Sequence, residues 1–272
     1  MRLQEERVTA LTTENSAALA GIETEPQLTF DQDGIQQTKD QGNGLTASRF
    51  NSVTAVVPKQ ASYPAWFMAI GQSTDGPAAL DLLTRSSSAK PWQLAVQTAL
   101  QGGGEVKWKR APGGWALATS PNGGPSGTLS DYWTSSISGG SGSGVAPGSM
   151  TSDVASQIKS KVSTNDGYGW AQVPTFTAGG SLPGAVELKD GTSLSFAWVN
   201  ETLKTRDAYG GCFKQPFKDG SKWDPLVPSG NYLEVDLTYT YLEGMAIPPT
   251  GDIQALSYAT GTTGVNVTQC SS

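Results

Sequence analysis

From Tyr232 to Ile247 the chain alternates: Leu233, Val235, Leu237, Tyr239 and Tyr241 point one way, and Glu234, Asp236, Thr238 and Thr240 the other. A period of two sustained over this length is that of a β-strand, whose successive side chains leave opposite faces. Its backbone donors and acceptors need strands on either side. The chain is therefore built on a sheet, and other segments must supply the neighbours.

Four candidates lie in the first half. Phe50–Val57 is rich in β-branched residues and stops at Pro58. Ala65–Gly71 places Trp66, Met68 and Ile70 on one face and Phe67 and Ala69 on the other. Ala78–Arg85 and Trp92–Leu100 follow, each bounded by Gly, Pro or Ser. One strand per dozen residues or so predicts an antiparallel meander. Val106–Lys109 and Trp115–Thr119 are short extensions between glycine clusters at 102–104, 112–114 and 122–124. The second half adds Tyr168–Val173 and Ala185–Leu188, then Ile253–Thr260 and Val265–Thr268 beyond the long strand. Asp190-Gly191, between Val186/Leu188 and Leu194/Phe196/Trp198, signals a hairpin.

Three segments carry helical spacing. Leu3, Val8, Leu11, Ala18, Leu19 and Ile22 predict an N-terminal helix, ended by Gly21 and Pro26. It suits a stem leading from a membrane anchor, or a helix packed on a sheet. Residues 31–48 are polar and predict turns. Leu129, Tyr132, Trp133 and Ile137 share a face, and Val154, Ile158 and Val162 recur every four residues within Thr151–Val162, which Asn165-Asp166-Gly167 ends. The Gly/Ser-rich run 139–149 between these two predicts a flexible loop. The order helix-then-strands occurs twice. It predicts an α+β fold of two tandem units, each a helix laid across a curved antiparallel sheet, with residues 1–30 as helix or stem, 31–124 as the first unit and 125–272 as the second.

Composition excludes much chemistry. Among 272 residues there is no histidine, which removes Ser-His-Asp and Cys-His nucleophiles and histidine-held zinc. The net charge of −6 comes with no basic stripe, so nucleic acid is not an expected partner. The apolar run near Ala65–Ile70 is far short of a membrane span. The start, Met1-Arg2-Leu3-Gln4-Glu5-Glu6-Arg7, lacks the apolar region of a signal peptide. Low charge with abundant Gly, Ser, Thr and aromatics favours the soluble part of an exported or anchored protein over a cytosolic one. The two cysteines, Cys212 and Cys270, are too few for zinc and lack redox spacing. In an exported domain they would pair; otherwise both are free thiols.

Each surviving motif has a plain alternative. Ser156–Lys159 and Ser87–Lys90 fit S-x-x-K, without the companion elements of a Ser-Lys enzyme, and chance matches are expected in a Ser-rich chain. Glu234 and Asp236 lie about 7 Å apart on one strand face, a loose fit to a glycosidase pair, but Thr238 and Thr240 continue that face as solvent-facing residues. Asp31-x-Asp33-Gly34 lacks the other ligands of a calcium loop and predicts a turn. Gly142-x-Gly144 has Pro147 where a dinucleotide fingerprint needs glycine. Asn200-Glu201-Thr202 and Asn266-Val267-Thr268 are sequons that matter only where the source glycosylates. Trp66, Trp92, Trp198, Tyr239 and Tyr241 are expected in the core. Trp108, Trp115, Trp170 and Trp223 sit in turn-rich segments, as contact residues or loop anchors.

The stretches Tyr63-Pro64-Ala65-Trp66-Phe67-Met68-Ala69, Leu80–Thr84 with Pro91-Trp92-Gln93-Leu94, and Val186-Glu187-Leu188-Lys189-Asp190-Gly191-Thr192-Ser193-Leu194-Ser195-Phe196 resemble an uncharacterised actinobacterial family. Its members look like lipoproteins or single-pass membrane proteins with an extracytoplasmic domain of unknown function, and the likeness covers roughly residues 50–260. It implies an extracytoplasmic location and tandem cystatin-like or NTF2-like units; it supplies no catalytic residue. The expectation is a membrane-anchored or secreted, non-enzymatic interaction module of the cell envelope. It would have no cofactor or metal site, and would meet a protein or envelope partner and the membrane only through an anchor. A small-ligand carrier with an aromatic-lined pocket between helix and sheet is the alternative, and a carboxylate or Ser-Lys hydrolase stands behind both.

Overall fold

The computed structural model describes residues 2–39, 45, 47–74, 76–101, 106–120, 124–140, 142–164, 170–180, 182–214, 227 and 230–270. The helices are α1 (Arg2–Thr12), α2 (Ser16–Leu19), α3 (Gln27–Lys39), α4 (Pro125–Ile137) and α5 (Ser152–Thr164). The strands are β1 (Phe50–Val56), β2 (Ala65–Ser73), β3 (Ala79–Arg85), β4 (Gln93–Leu100), β5 (Ala118–Thr119), β6 (Trp170–Ala178), β7 (Ala185–Glu187), β8 (Ser193–Asp207), β9 (Phe213–Lys214), β10 (Asn231–Ile247) and β11 (Gln254–Gln269).

All eleven described strands join one sheet, in the order β1-β2-β3-β4-β11-β10-β8-β7-β5, with β6 also on β8 and β9 on β10. Every strand pairing is antiparallel. Two tandem helix-plus-sheet units, cystatin-like or NTF2-like, do not form. The reason lies in β8, β10 and β11, of 15, 17 and 16 residues. They run the whole length of the second half. The last strand of the meander then joins them directly, Leu100 beside Ser257 and Ala99 beside Tyr258. Residues 124 and 125, where the two units were expected to meet, lie between strands of this single sheet.

The sheet curls. Ala116, in the segment after β4, donates its N–H to the Val57 carbonyl (2.9 Å), which brings the β5 end of the sheet back to β1. Inside the curl, Val56, Met68, Ile70, Leu80, Leu82, Val96, Leu194, Phe196 and Leu242 form one core. Helices cover the other face. α3 lies over β4 and β11, and Leu3 of α1 packs where Ala69 of β2, Leu83 of β3 and Leu94 of β4 are buried. α4 and α5 seat Leu129, Trp133, Val154 and Ile158 on Ala197, Val199, Tyr241 and Met245. From Thr240 to Ile247, β10 is therefore buried on both faces. At its other end Leu203, Phe213, Tyr232, Val235 and Leu237 make a separate cluster.

Local chemistry accounts for most boundaries. In the β7–β8 hairpin Gly191 takes a positive φ of 87° and Val186 faces Leu194, as the Asp190-Gly191 pair predicts. The N-terminal helical run breaks in two: Glu14 turns left-handed (φ 52°) and the Asn15 side chain caps α2 by accepting from the Ala18 N–H (3.2 Å). Residues 31–48, expected to be turns, begin inside a helix. The buried face of α3 is Gln27, Asp31 and Ile35, which has the right spacing in the wrong chemistry for a hydrophobic pattern to register. Ile253–Thr260 and Val265–Thr268 are parts of one strand, β11, across Gly261 and Gly264.

Candidate interaction edge

β1 ends the sheet. It pairs with β2, Val53 beside Gly71 and Val56 beside Met68, and no described strand lies along its other side. Its residues Phe50-Asn51-Ser52-Val53-Thr54-Ala55-Val56 carry no charge and no proline, and Asn51 to Ala55 are exposed. Natural sheets blunt such edges with lysine, proline or bulges, because an open edge templates another strand. Here a bulge lies between Phe50 and Ser52 and Pro58 follows the strand, so the blunting is confined to the two ends.

A groove flanks each end. One, of about 440 Å³, lies between α1 (Gln4, Glu5, Val8, Thr9) and Arg49, Phe50 and Val53. The other, of about 270 Å³, lies between Ala55, Val57 and the loop residues Trp108, Arg110 and Trp115. Val53 (40%), Val57 (36%) and Trp115 (45%) are more exposed than apolar side chains of this size usually are. The loop is held in place. Ala111 N–H donates to the Trp115 carbonyl (2.8 Å), Gly114 N–H to the Ala111 carbonyl (3.0 Å), and Gly113 and Gly114 both take positive φ, which a side chain would resist. The Arg110 guanidinium stacks 5.7 Å over the Trp108 ring.

α1, which forms one wall, is pinned by buried ionic contacts. The Arg7 guanidinium donates to Glu23 (Nε to Oε1, 2.6 Å), to Asp31 through Nε and Nη2, and to Gln97 Oε1 (2.6 Å). Gln27 donates to Asp31 (2.9 Å), and Gln97 to Asp81 (3.0 Å). Burial pushes the Asp81 carboxyl up to about 6, and burial together with the Asp31 charge raises Glu23 against the pull of Arg7. Two helices, the Glu23 segment between α2 and α3, and two strands thus share one buried network, in which Glu23 Oε2 alone lacks a hydrogen-bond partner among the described residues.

A second polar group lies under α4. Tyr241 donates its hydroxyl to Glu201 (2.5 Å), and burial pushes Tyr258 up to about 12. Next to Tyr241 on the same strand face, Glu243 is fully buried, and neither carboxylate oxygen has a hydrogen-bond partner among the described residues. Burial raises it well above the usual carboxylate range, which favours the protonated form. No described groove opens on it.

The chain belongs to the family described as a domain of unknown function (DUF8094). The match runs over residues 7–268. An uncharacterized lipoprotein of Streptomyces coelicolor is 30% identical over 183 residues, which is 64% of this chain and 53% of the relative. The chain thus spans about half the length of that relative. The resemblance carried by residues 63–69, 80–94 and 186–196 to an actinobacterial lipoprotein family therefore stands. No solved structure matches the chain.

The residues weighed from sequence fall as follows. Cys212 and Cys270 are joined by a disulfide (S–S 2.05 Å, Cα–Cα 6.1 Å) that ties the segment before β9 to the end of β11. Glu234 and Asp236 face Lys204 at 2.8 and 3.8 Å, a surface ion-pair cluster. Ser156 donates to its own helix, at the Ser152 carbonyl, and not to Lys159; Ser87 and Lys90 meet only through a backbone turn. Asp31 is in a helix, bound to Arg7, and the expected turn there is absent. Asn200 accepts from Trp198 and Thr240 within the sheet. Trp223 and the side chain of Trp170 lie outside the described residues, as do 102–104 and 165–167. Sequence reasoning missed Arg7, Glu201 and Glu243. A lone arginine in an apolar helix face, and a lone glutamate amid strand residues, were the only signals.

Proposed function

We propose that this chain is an extracytoplasmic, membrane-anchored, non-enzymatic interaction module that takes up an extended segment of a partner protein along β1. The observation that carries the reading is the open, uncharged and exposed edge from Ser52 to Ala55, with a groove at either end, beyond which Ala116 closes on the Val57 carbonyl. An added strand gains affinity from main-chain hydrogen bonds and selectivity from its alternate side chains in pockets. The extracytoplasmic setting is supported by the Streptomyces relative, named a lipoprotein, and by the disulfide, which suits an oxidising compartment. Among the described residues no helix is long and apolar enough to cross a membrane, so attachment would come from an anchor. The space between α4, α5 and the sheet is filled by Leu129, Trp133 and Met245, which favours an interaction surface over a carrier pocket there.

A photo-crosslinking amino acid at Val53 tests this in the native host, with Tyr209, 92% exposed on a distant loop, as the control position. The expected result is a discrete protein adduct from position 53 that position 209 does not give. Identical adducts at both positions, or none at 53, would defeat the proposal.

A further inference from the structure

We infer that the segment taken up by β1 is acidic where it leaves the open edge at Ala55, beside Val57, and that Arg110 and Lys59 recognise it there. This rests on the strand-addition reading above. The chain as a whole is acidic, at −6, yet the residues bordering the open edge are cationic: Arg49 before β1, Lys59 after it, and Arg110 across the groove from Ala55 and Val57. None of the three has a carboxylate partner among the described residues. Elsewhere, cations that meet acids pair with them, as Arg2 does with Glu6, Lys109 with Glu187 and Lys204 with Glu234. Among the described residues, the sole carboxylate lining either groove is Glu5, which faces the Arg49 end. Positive charge is therefore concentrated at the Val57 end.

The Val57 end is also held in place. The loop that carries Arg110 is stitched to the edge itself, since Ala116 N–H donates to the Val57 carbonyl and Arg110 pairs across the loop with Ala116. Stacking on Trp108 holds the guanidinium plane over an aromatic face, while its donors remain available for a carboxylate. Trp115, exposed on the same loop, offers apolar contact to the methylene groups of a glutamate or to a neighbouring apolar side chain. A basic segment would meet the same two cations with repulsion and would leave the edge unfilled.

The test uses three capped, fluorescent ten-residue peptides of alternating Thr and Val. One ends in Asp-Glu, one carries Lys-Lys in their place, and the third is the acidic peptide N-methylated at alternate residues, which keeps its charge but blocks strand pairing. Binding to the whole chain is read by fluorescence anisotropy at low and moderate salt. The acidic peptide is expected to bind about ten-fold tighter than the lysine peptide, with the gap narrowing as salt rises. Arg110→Gln and Lys59→Gln, both surface changes, are each expected to weaken it about two- to five-fold, while Arg206→Gln on the far part of the sheet leaves it unchanged. Equal binding of the acidic and lysine peptides, with the N-methylated one inert, overturns the acidic preference and keeps strand addition. Acidic binding that survives N-methylation overturns strand addition itself. No binding by any of the peptides overturns the inference too.

Discussion

Glu243 and Arg7 are opposite solutions to burying a charge. Arg7 is surrounded by partners, so removing it strands Glu23 and Asp31 in the interior. Arg7→Met is expected to cost about 3–5 kcal/mol, read by denaturant unfolding, with α1 loosened first. Glu243 has no hydrogen-bond partner to lose among the described residues. Glu243→Met keeps the volume and removes an unsatisfied acid, and is expected to raise stability by about 1–3 kcal/mol in the same assay. Three buried acids also set a pH dependence. Glu243 and Glu23 are raised above their ordinary value of 4.5, and Asp81 above 3.8 to about 6. The unfolded chain releases these protons at lower pH than the folded one. Stability contributed by the neutral forms is therefore complete below about pH 4 and falls as pH rises through and beyond 6. Thermal melts are expected to show a higher midpoint at pH 5 than at pH 8, and Glu243→Gln should flatten that slope. An unchanged midpoint across the range would mean these acids are charged in the folded state.

Among the elements, β10 and β1 mark the extremes of protection. β10 is flanked by β8 and β11 along its length and is covered on both faces from Thr240 onward. β1 is paired on one side and exposed. Hydrogen exchange is expected to be slowest at Leu242–Ile247 and fast along Ser52–Ala55, with the β1 amides slowing when a strand-forming peptide binds. Gly244 shows how tightly β10 is packed. A Cβ there would lie 2.2 Å from Ser257 Oγ and 2.7 Å from Leu80 Cδ2. Gly244→Ala is expected to cost about 1–3 kcal/mol by overpacking, measured by the shift in denaturant midpoint. A neutral result would show that β10 and β11 can part at no cost.

On the scale of the whole molecule, the curled sheet and its far end are held by different means. The inner core links strands from both halves of the chain, whereas the cluster around Tyr232 and Leu237 is closed by the disulfide across 58 residues. Cross-linking a loop of that length removes unfolded-state freedom worth about 2–4 kcal/mol. Cys212→Ser with Cys270→Ser is expected to lower unfolding free energy by that amount. Exchange should rise at β9 and the end of β11 while β2 to β4 stay protected. Equal stability of the oxidised and reduced proteins would show that this end holds without the bridge.

Much of this was legible in the residues alone. Alternation located β1 to β4, β8 and β10, the Asp190-Gly191 pair located the hairpin, and Leu129, Trp133, Val154 and Ile158 announced the faces of α4 and α5, because each signal is read from neighbours in sequence. Histidine's absence narrowed the chemistry by itself. What local periodicity cannot carry is the identity of a strand's partner. A strand knows which of its faces is apolar, but β4 joined β11 and not a second sheet only because the curl of β8, β10 and β11 presented a matching edge and a shared core. The same limit hid α3, whose buried Gln27 and Asp31 look like loop residues until Arg7 arrives from another helix to satisfy them. The openness of β1 is of this kind as well: its residues say strand, and only the tertiary arrangement, which supplies a neighbour on one side and none described on the other, decides that it is an edge.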